Sequence, residues 1–154
     1  MNYYRKNLEN GNSDDSHGYN PLYEFGFGLS YTTFSYGNLH LSQPELKDGE
    51  TMTVTVDVKN TGQREGMESV LLYSRQEYAS IAPDFKRLRA YQKIDLKAGE
   101  SKTVSFKVTA HDLAFVNDLS KTVTEPGEFK IMIGDQVANF NFISNTVPDR
   151  SGKL

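Results

Sequence analysis

The sequence predicts an all-β protein, an antiparallel β-sandwich of about seven strands, and three observations carry that expectation. Apolar and polar residues alternate with period two over short runs: Met52, Val54, Val56 and Val58 against Thr53, Thr55 and Asp57, then Val104, Phe106 and Val108 against Thr103, Ser105 and Lys107. That is the pattern of half-buried strands. Turn chemistry recurs at short intervals, in Lys47-Asp48-Gly49-Glu50, Asn60-Thr61-Gly62, Lys97-Ala98-Gly99-Glu100, Glu125-Pro126-Gly127 and Gly134-Asp135. Only one stretch, Thr109-Ala110-His111-Asp112, starts a helical turn, by the capping-box spacing of Thr and Asp.

Taken in order, residues 1–20 are polar and rich in Asn, Asp, Ser and Gly, and read as a loop. An aromatic connector follows from Asn20 to Phe34. Phe34–Leu41 is the first strand, and Lys47–Glu50 turns it into the strand centred on Val54, Val56 and Val58. Ser69–Tyr73 is apolar on both faces, which suits a strand covered on both sides. Gln76 to Pro83 is a loop. Leu88, Tyr91, Ile94 and Leu96 are irregularly spaced, so that strand carries a bulge or switches sheets. After the strand of Val104, Phe106 and Val108, a hairpin joins Phe129, Ile131 and Ile133 to Val137–Phe142. Val54, Val56, Val58, Val104, Phe106, Ile131 and Phe140 are expected to share one core. The sandwich spans 33–144, with the loop and connector at 1–32 and a flexible tail at 145–154.

Composition narrows the function. At 154 residues the chain suits one domain with a tail. Net charge is −3, the pI is near 5.6, and basic residues are scattered, which gives no nucleic-acid footprint. Without cysteine there is no disulfide framework, thiolate metal site or cysteine nucleophile. No apolar run approaches the ~18 residues of a membrane span, and no apolar segment follows Met1–Lys6 as in a signal peptide. Neither nucleic acid nor membrane is an expected partner.

The connector, Asn20-Pro21-Leu22-Tyr23-Glu24-Phe25-Gly26-Phe27-Gly28-Leu29-Ser30-Tyr31-Thr32-Thr33-Phe34, concentrates aromatics and glycines without helical or strand period. Composition alone leaves two readings open: a closely packed joint between two bodies, or an ordinary strand entry with exposed rings. Its wording resembles the hinge of glycoside hydrolase family 3 enzymes of the β-glucosidase and β-xylosidase type, close to L-Y-P-F-G-Y-G-L-S-Y-T. Glu24 stands where proline is common there. Lys59-Asn60-Thr61-Gly62 is similar to the family's V-x-N-T-G turn. The run from Pro83 through Lys86, Leu88, Tyr91, Lys93, Leu96, Gly99 and Glu100 resembles its P-x-K-x-L-x-G-F-x-K-x-x-L-x-x-G-E stretch, with one extra residue after the proline. His111–Phe115 and Glu125–Phe129 fit as well, so the resemblance covers roughly residues 19–143.

The resemblance implies an immunoglobulin/fibronectin type III-like sandwich from the C-terminus of a family 3 enzyme. It further implies a parent that hydrolyses terminal β-glycosides through a retaining covalent intermediate, in the periplasm or secreted. In that family the nucleophilic aspartate and the acid/base glutamate sit in two upstream domains. The present chain then reads as a non-catalytic fragment, with Met1 opening the fragment and any export signal lying upstream. Its partners are the catalytic domains of its own parent, with carbohydrate near the active-site entrance and self-association of the fragment as further expectations. Tyr23, Phe25, Phe27, Leu29 and Tyr31 are the candidate interdomain interface.

Residue by residue, no other chemistry is expected. Glycoside hydrolysis needs two carboxyl groups held in different protonation states, whereas Glu50, Asp57, Glu100 and Glu128 lie in turns and on polar strand faces. His111-Asp112 belongs to the cap rather than to a nucleophile relay. His17, His40 and His111 lack metal-ligand spacing, and Asp14-Asp15 reads as a solvated acidic loop rather than a calcium site. Gly26-Phe27-Gly28 lacks the third glycine of a dinucleotide loop, and Gly28-Leu29-Ser30-Tyr31-Thr32 fails the nucleophile-elbow pattern. No catalytic residue, metal or cofactor is expected. The alternative is a freestanding carbohydrate- or protein-binding module, for which Tyr78 and Tyr91 are the candidate sugar platforms. A cell-surface adhesion repeat predicts tandem copies, and the chain has no internal repeat. The loop from Glu77 to Arg87, with Tyr78, Phe85 and Arg87, is the candidate for outward contacts.

Overall fold

Residues 28–81 and 84–144 are described in this computed structural model. Ten strands run β1 (Phe34–Leu41), β2 (Glu45–Lys47), β3 (Thr51–Asn60), β4 (Gly66–Gln76), β5 (Arg87–Leu96), β6 (Ser101–Thr109), β7 (Phe115–Val116), β8 (Thr122–Val123), β9 (Gly127–Ile133) and β10 (Gln136–Ile143). A three-stranded sheet, β1-β3-β6, faces a five-stranded sheet, β2-β10-β9-β4-β5, and β7-β8 form a separate two-stranded ribbon. The seven strands of seven residues or more are the seven that alternation and turn chemistry predict.

The core is built by that alternation. Met52, Val54, Val56 and Val58 of β3 are fully buried and pair across the sheet with Val108, Phe106, Val104 and Lys102. Val70 and Leu72 of β4, Ile131 and Ile133 of β9, and Phe140 and Phe142 of β10 close it from the other side. Phe129 stands in the middle. Its ring stacks on Phe140 at 5.6 Å and meets Phe142 edge-on at 6.5 Å, in the offset and T-shaped geometries that aromatic quadrupoles favour. All seven predicted core residues are buried.

Two turns repeat one design. Lys47-Asp48-Gly49-Glu50 and Lys97-Ala98-Gly99-Glu100 each close with the Glu N–H donating to the Lys carbonyl at 3.0 Å. Gly49 and Gly99 take φ of 81° and 75°, where a side chain is disfavoured. Each Glu carboxylate then accepts the Lys N–H, at 3.1 Å for Glu50 and 2.7 Å for Glu100.

The structure departs from the sequence expectation in three places. The Lys47–Glu50 turn does not follow the first strand directly, because the chain crosses to the other sheet at Pro44 and adds β2 in parallel to β10. Only Leu46 of β2 faces inward, so three residues carry too little pattern to be seen. β1 also bulges between Gly37 and His40, where Asn38 takes φ 53°. The helical turn forms at His111–Leu113 as a 3-10 turn. Asp112 supplies the back-bonding half of the predicted box, accepting the Thr109 N–H at 2.8 Å and its hydroxyl at 2.7 Å. The expected bulge in β5 is present, since Leu72 faces Ala90 but Tyr73 faces Leu88, leaving Arg89 unmatched.

Candidate functional site at the connector end

The described part of the connector docks through one buried polar residue. Asn60, at the end of β3, has no exposed surface. Its amide nitrogen donates to the Arg64 carbonyl at 2.7 Å and the Leu96 carbonyl at 3.1 Å. Its amide oxygen accepts the Gly62 N–H at 3.0 Å and the Thr32 hydroxyl at 2.7 Å. All four side-chain hydrogen-bonding positions are filled. One side chain thus joins the connector, the β3-β4 turn and the end of β5. Alongside, the Thr61 N–H donates to the Thr33 carbonyl at 2.8 Å, and the two threonine hydroxyls meet at 2.8 Å. A Cβ at Gly62 would collide with the Thr32 hydroxyl, so the glycine of the N-T-G turn is required for the connector to lie this close.

Among the described residues of the connector, two large side chains beyond that anchor stand in solvent. Leu29 is 88% exposed and Tyr31 94% exposed. Tyr23, Phe25 and Phe27, the other candidate interface residues, lie outside the described residues.

Where β1 faces β4, Tyr36 donates to the Glu68 carboxylate at 2.6 Å. Burial first, and that hydrogen bond second, hold the phenol's pKa well above the ordinary tyrosine value. The bond ties one sheet to the other, a contact that no strand pattern signals.

At the opposite end of β4, the loop residues named from sequence separate. Tyr78 is exposed, while Phe85 is partly exposed and lies under the Arg75 guanidinium at 5.3 Å. Arg87 donates to the Ala114 carbonyl at 3.1 Å. Arg89, the bulge residue, donates to Ser74 Oγ at 2.8 Å and to the Leu113 and Ala114 carbonyls at 3.0 and 3.1 Å. Burial, reinforced by Arg87, brings its pKa down to about 10. It remains charged at neutral pH and clamps the last carbonyls of the 3-10 turn, an effect that cation placement at such an end favours.

The acids that could suggest hydrolysis hold the scaffold. Glu50 and Glu100 close turns, as described. Asp57 accepts from Asn38 Nδ2 at 2.8 Å and from the Thr103 hydroxyl at 2.5 Å, which together hold its carboxyl below the usual carboxylate range. Glu128 accepts from Asn139 at 3.2 Å. Among the described residues no group of three or more His, Cys, Asp or Glu could hold a metal ion, and no helix is long and apolar enough to cross a membrane. An open depression of about 390 Å³ on the outer face of the three-stranded sheet is lined by Ser35, Asn38, Asp57, Lys59 and Thr103. Its wall includes Tyr36, but that phenol is committed to Glu68.

Residues 68–137 match a family model described as "Fibronectin type III-like domain". The chain contains a fibronectin type III-like domain. Its relatives say where such a domain occurs. A β-xylosidase of Formosa agariphila is 47% identical over 114 residues, which is 74% of this chain and 16% of that protein. A periplasmic β-glucosidase of Salmonella typhimurium is 43% identical over 121 residues, covering 79% of this chain and 16% of that protein. The crystal structure of a Listeria innocua β-glucosidase with gluconolactone superposes with a TM-score of 0.78 at 32% identity, over 92% of this chain and 21% of that one. The chain therefore spans about 16% of the length of the curated relatives it matches. This fibronectin type III-like domain corresponds to the accessory part of larger β-glucosidase- and β-xylosidase-type glycoside hydrolases.

Proposed function

We propose that the chain is a non-catalytic, structural domain of a family 3 glycoside hydrolase, and that its parent hydrolyses terminal β-glycosides in the manner of a β-glucosidase. The observation that carries this reading is the confinement of the match: identities of 47% and 43% fall on 16% of each relative. Asp57 and Glu100 support it, because hydrogen bonds hold both carboxyls below the usual carboxylate range, opposite to the raised pKa that a general acid needs.

In this reading the domain packs on the catalytic domains and stiffens them, with the connector as part of the joint. Leu29 and Tyr31 support that role, since apolar side chains this exposed beside an anchored backbone suit an interface that something else covers. Tyr23, Phe25 and Phe27 extend the same joint in the proposal. Contact of the Tyr78 loop with carbohydrate at the active-site entrance belongs to the proposal as well. A freestanding sugar-binding module is less well supported. Tyr91 pairs with Leu71 on β4 while Tyr78 follows the end of that strand at Gln76, so roughly 17 Å of strand separates the two candidate platforms.

The test is hydrolysis of aryl β-glucosides and β-xylosides by the purified chain. No turnover is expected. Turnover that tracks with the chain through successive purification steps contradicts the reading.

A further inference from the structure

We propose that the depression on the outer face of the three-stranded sheet, across β1, β3 and β6, is a binding site for a neutral saccharide. The inference goes beyond the accessory-domain reading and does not rest on it.

Two rows of outward residues cross that sheet. Ser35, Lys59 and Ser101 form one, and Gly37, Asp57 and Thr103 form the next. The second row has no side chain on β1, which leaves the open depression of about 390 Å³, within the roughly 300–1,000 Å³ of small-molecule sites. Neither backbone nor packing requires this glycine. Gly37 does not take a positive φ, and nothing lies within 4 Å of where its Cβ would stand. Glycine inside a strand weakens it and often marks a place where a ligand comes close. The next residue is turned to the same spot. Asn38, in the β1 bulge at φ 53°, donates from Nδ2 to Asp57 Oδ2 at 2.8 Å. Re-aiming a side chain in this way is what bulges do beside sites.

The chemistry selects the ligand class. Asp57 Oδ1 accepts the Thr103 hydroxyl at 2.5 Å. A carboxylate offers about four lone-pair positions, so acceptor positions remain for a ligand. Asn38 and Thr103 hold the carboxyl below the usual carboxylate range, and it is ionised at neutral pH. Ser35 and Ser101 add hydroxyls, and Lys59 adds a donor. Lys102 is engaged, donating to the Asp95 carbonyl and pairing with Glu100 at 3.4 Å. One carboxylate and one ammonium are left, a balance that favours neither an anion nor a cation. Sugar hydroxyls each donate and accept, and they match this mixed set. Tyr36, the aromatic in the wall, is committed to Glu68 and lies against Gly134. No ring is offered for stacking, so binding is weak, with a Kd on the order of mM.

Titration of the 154-residue chain with cellobiose, followed by backbone amide NMR, tests the site, with sodium sulfate as the ionic probe. Cellobiose is expected to shift the amides of Gly37, Asn38, Asp57 and Thr103 saturably, and sulfate to bind there more weakly. Gly37→Val fills the depression with a residue that strands favour. It should weaken binding at least about tenfold while the melting temperature holds or rises. Asp57→Asn keeps the shape and removes the charge, and should weaken binding about tenfold through loss of a charge-assisted hydrogen bond; it decides the matter if Gly37→Val does not fold. No saturable shift at these amides up to roughly 100 mM overturns the proposal. So does undiminished binding by either variant, or a response centred on Tyr78 or Tyr91. Sulfate binding more tightly than cellobiose makes the site ionic and also overturns it. Each of these outcomes leaves the accessory-domain reading standing, because that reading fails by a different result, turnover by the 154-residue chain.

Discussion

Phe129→Ala is expected to lower the unfolding free energy by ~3–5 kcal/mol, the usual range for removing a buried phenylalanine. Phe129 is 1% exposed, stacked on Phe140 and edge-on to Phe142. The substitution removes the ring from the centre of the five-stranded sheet's inner face, where both aromatic partners lose their contact surface. Strands on either side are held in register by backbone bonds to β4 and β10, so the site collapses poorly and the cavity term stays large. Urea unfolding should show a lower midpoint with an unchanged slope. Val137→Ala, on the exposed face of the same hairpin, is the control. A response to Phe129→Ala within about 0.5 kcal/mol, as at a surface site, contradicts the core described above.

Asn60→Ala should cost about 2–4 kcal/mol, because an unsatisfied buried polar group costs roughly 1–3 kcal/mol and several lose their partner together. The Leu96 and Arg64 carbonyls lose a donor, and the Gly62 N–H and Thr32 hydroxyl lose an acceptor. Asn60→Asp is expected to be worse. It keeps the acceptor for Gly62 and Thr32 but turns a carboxylate oxygen toward two carbonyls in a site without solvent, and burying an unpaired charge is more costly than burying a neutral polar group. Chemical denaturation of both variants gives the order. Proteolysis before residue 34 should rise in parallel, because the same side chain anchors the connector. Asn60→Ala at wild-type stability, or Asn60→Asp more stable than Asn60→Ala, contradicts the role assigned to this residue.

The long strands were legible because each buries one face, and a period of two is then written directly into the residues, as in Met52–Val58 and Val104–Val108. The paired Lys-x-Gly-Glu turns were legible for a related reason, since glycine at positive φ is a local requirement, while the bond from each Glu carboxylate back to the Lys N–H was not. What else escaped is non-local. β2 has only Leu46 to declare it, and its pairing with β10 joins residues almost a hundred positions apart. The Tyr36–Glu68 bond depends on how two sheets face each other. Asn60 was visible as part of an N-T-G turn, but its grip on Leu96 and Thr32 comes from packing, which no spacing encodes. The connector shows the same limit. Its aromatic density was plain, whereas its attachment through Thr32 and Thr33 to Asn60 and Thr61 came only from packing.

The central claim is that this domain adds no chemistry and stabilises the body to which it is joined. Deleting residues 28–144 from the longer parent proposed for this chain and following both melting and turnover tests that claim most directly. The account predicts a remainder that melts several degrees lower but still turns over substrate below its new transition. An unchanged melting temperature, or a fully folded remainder with no turnover, contradicts it.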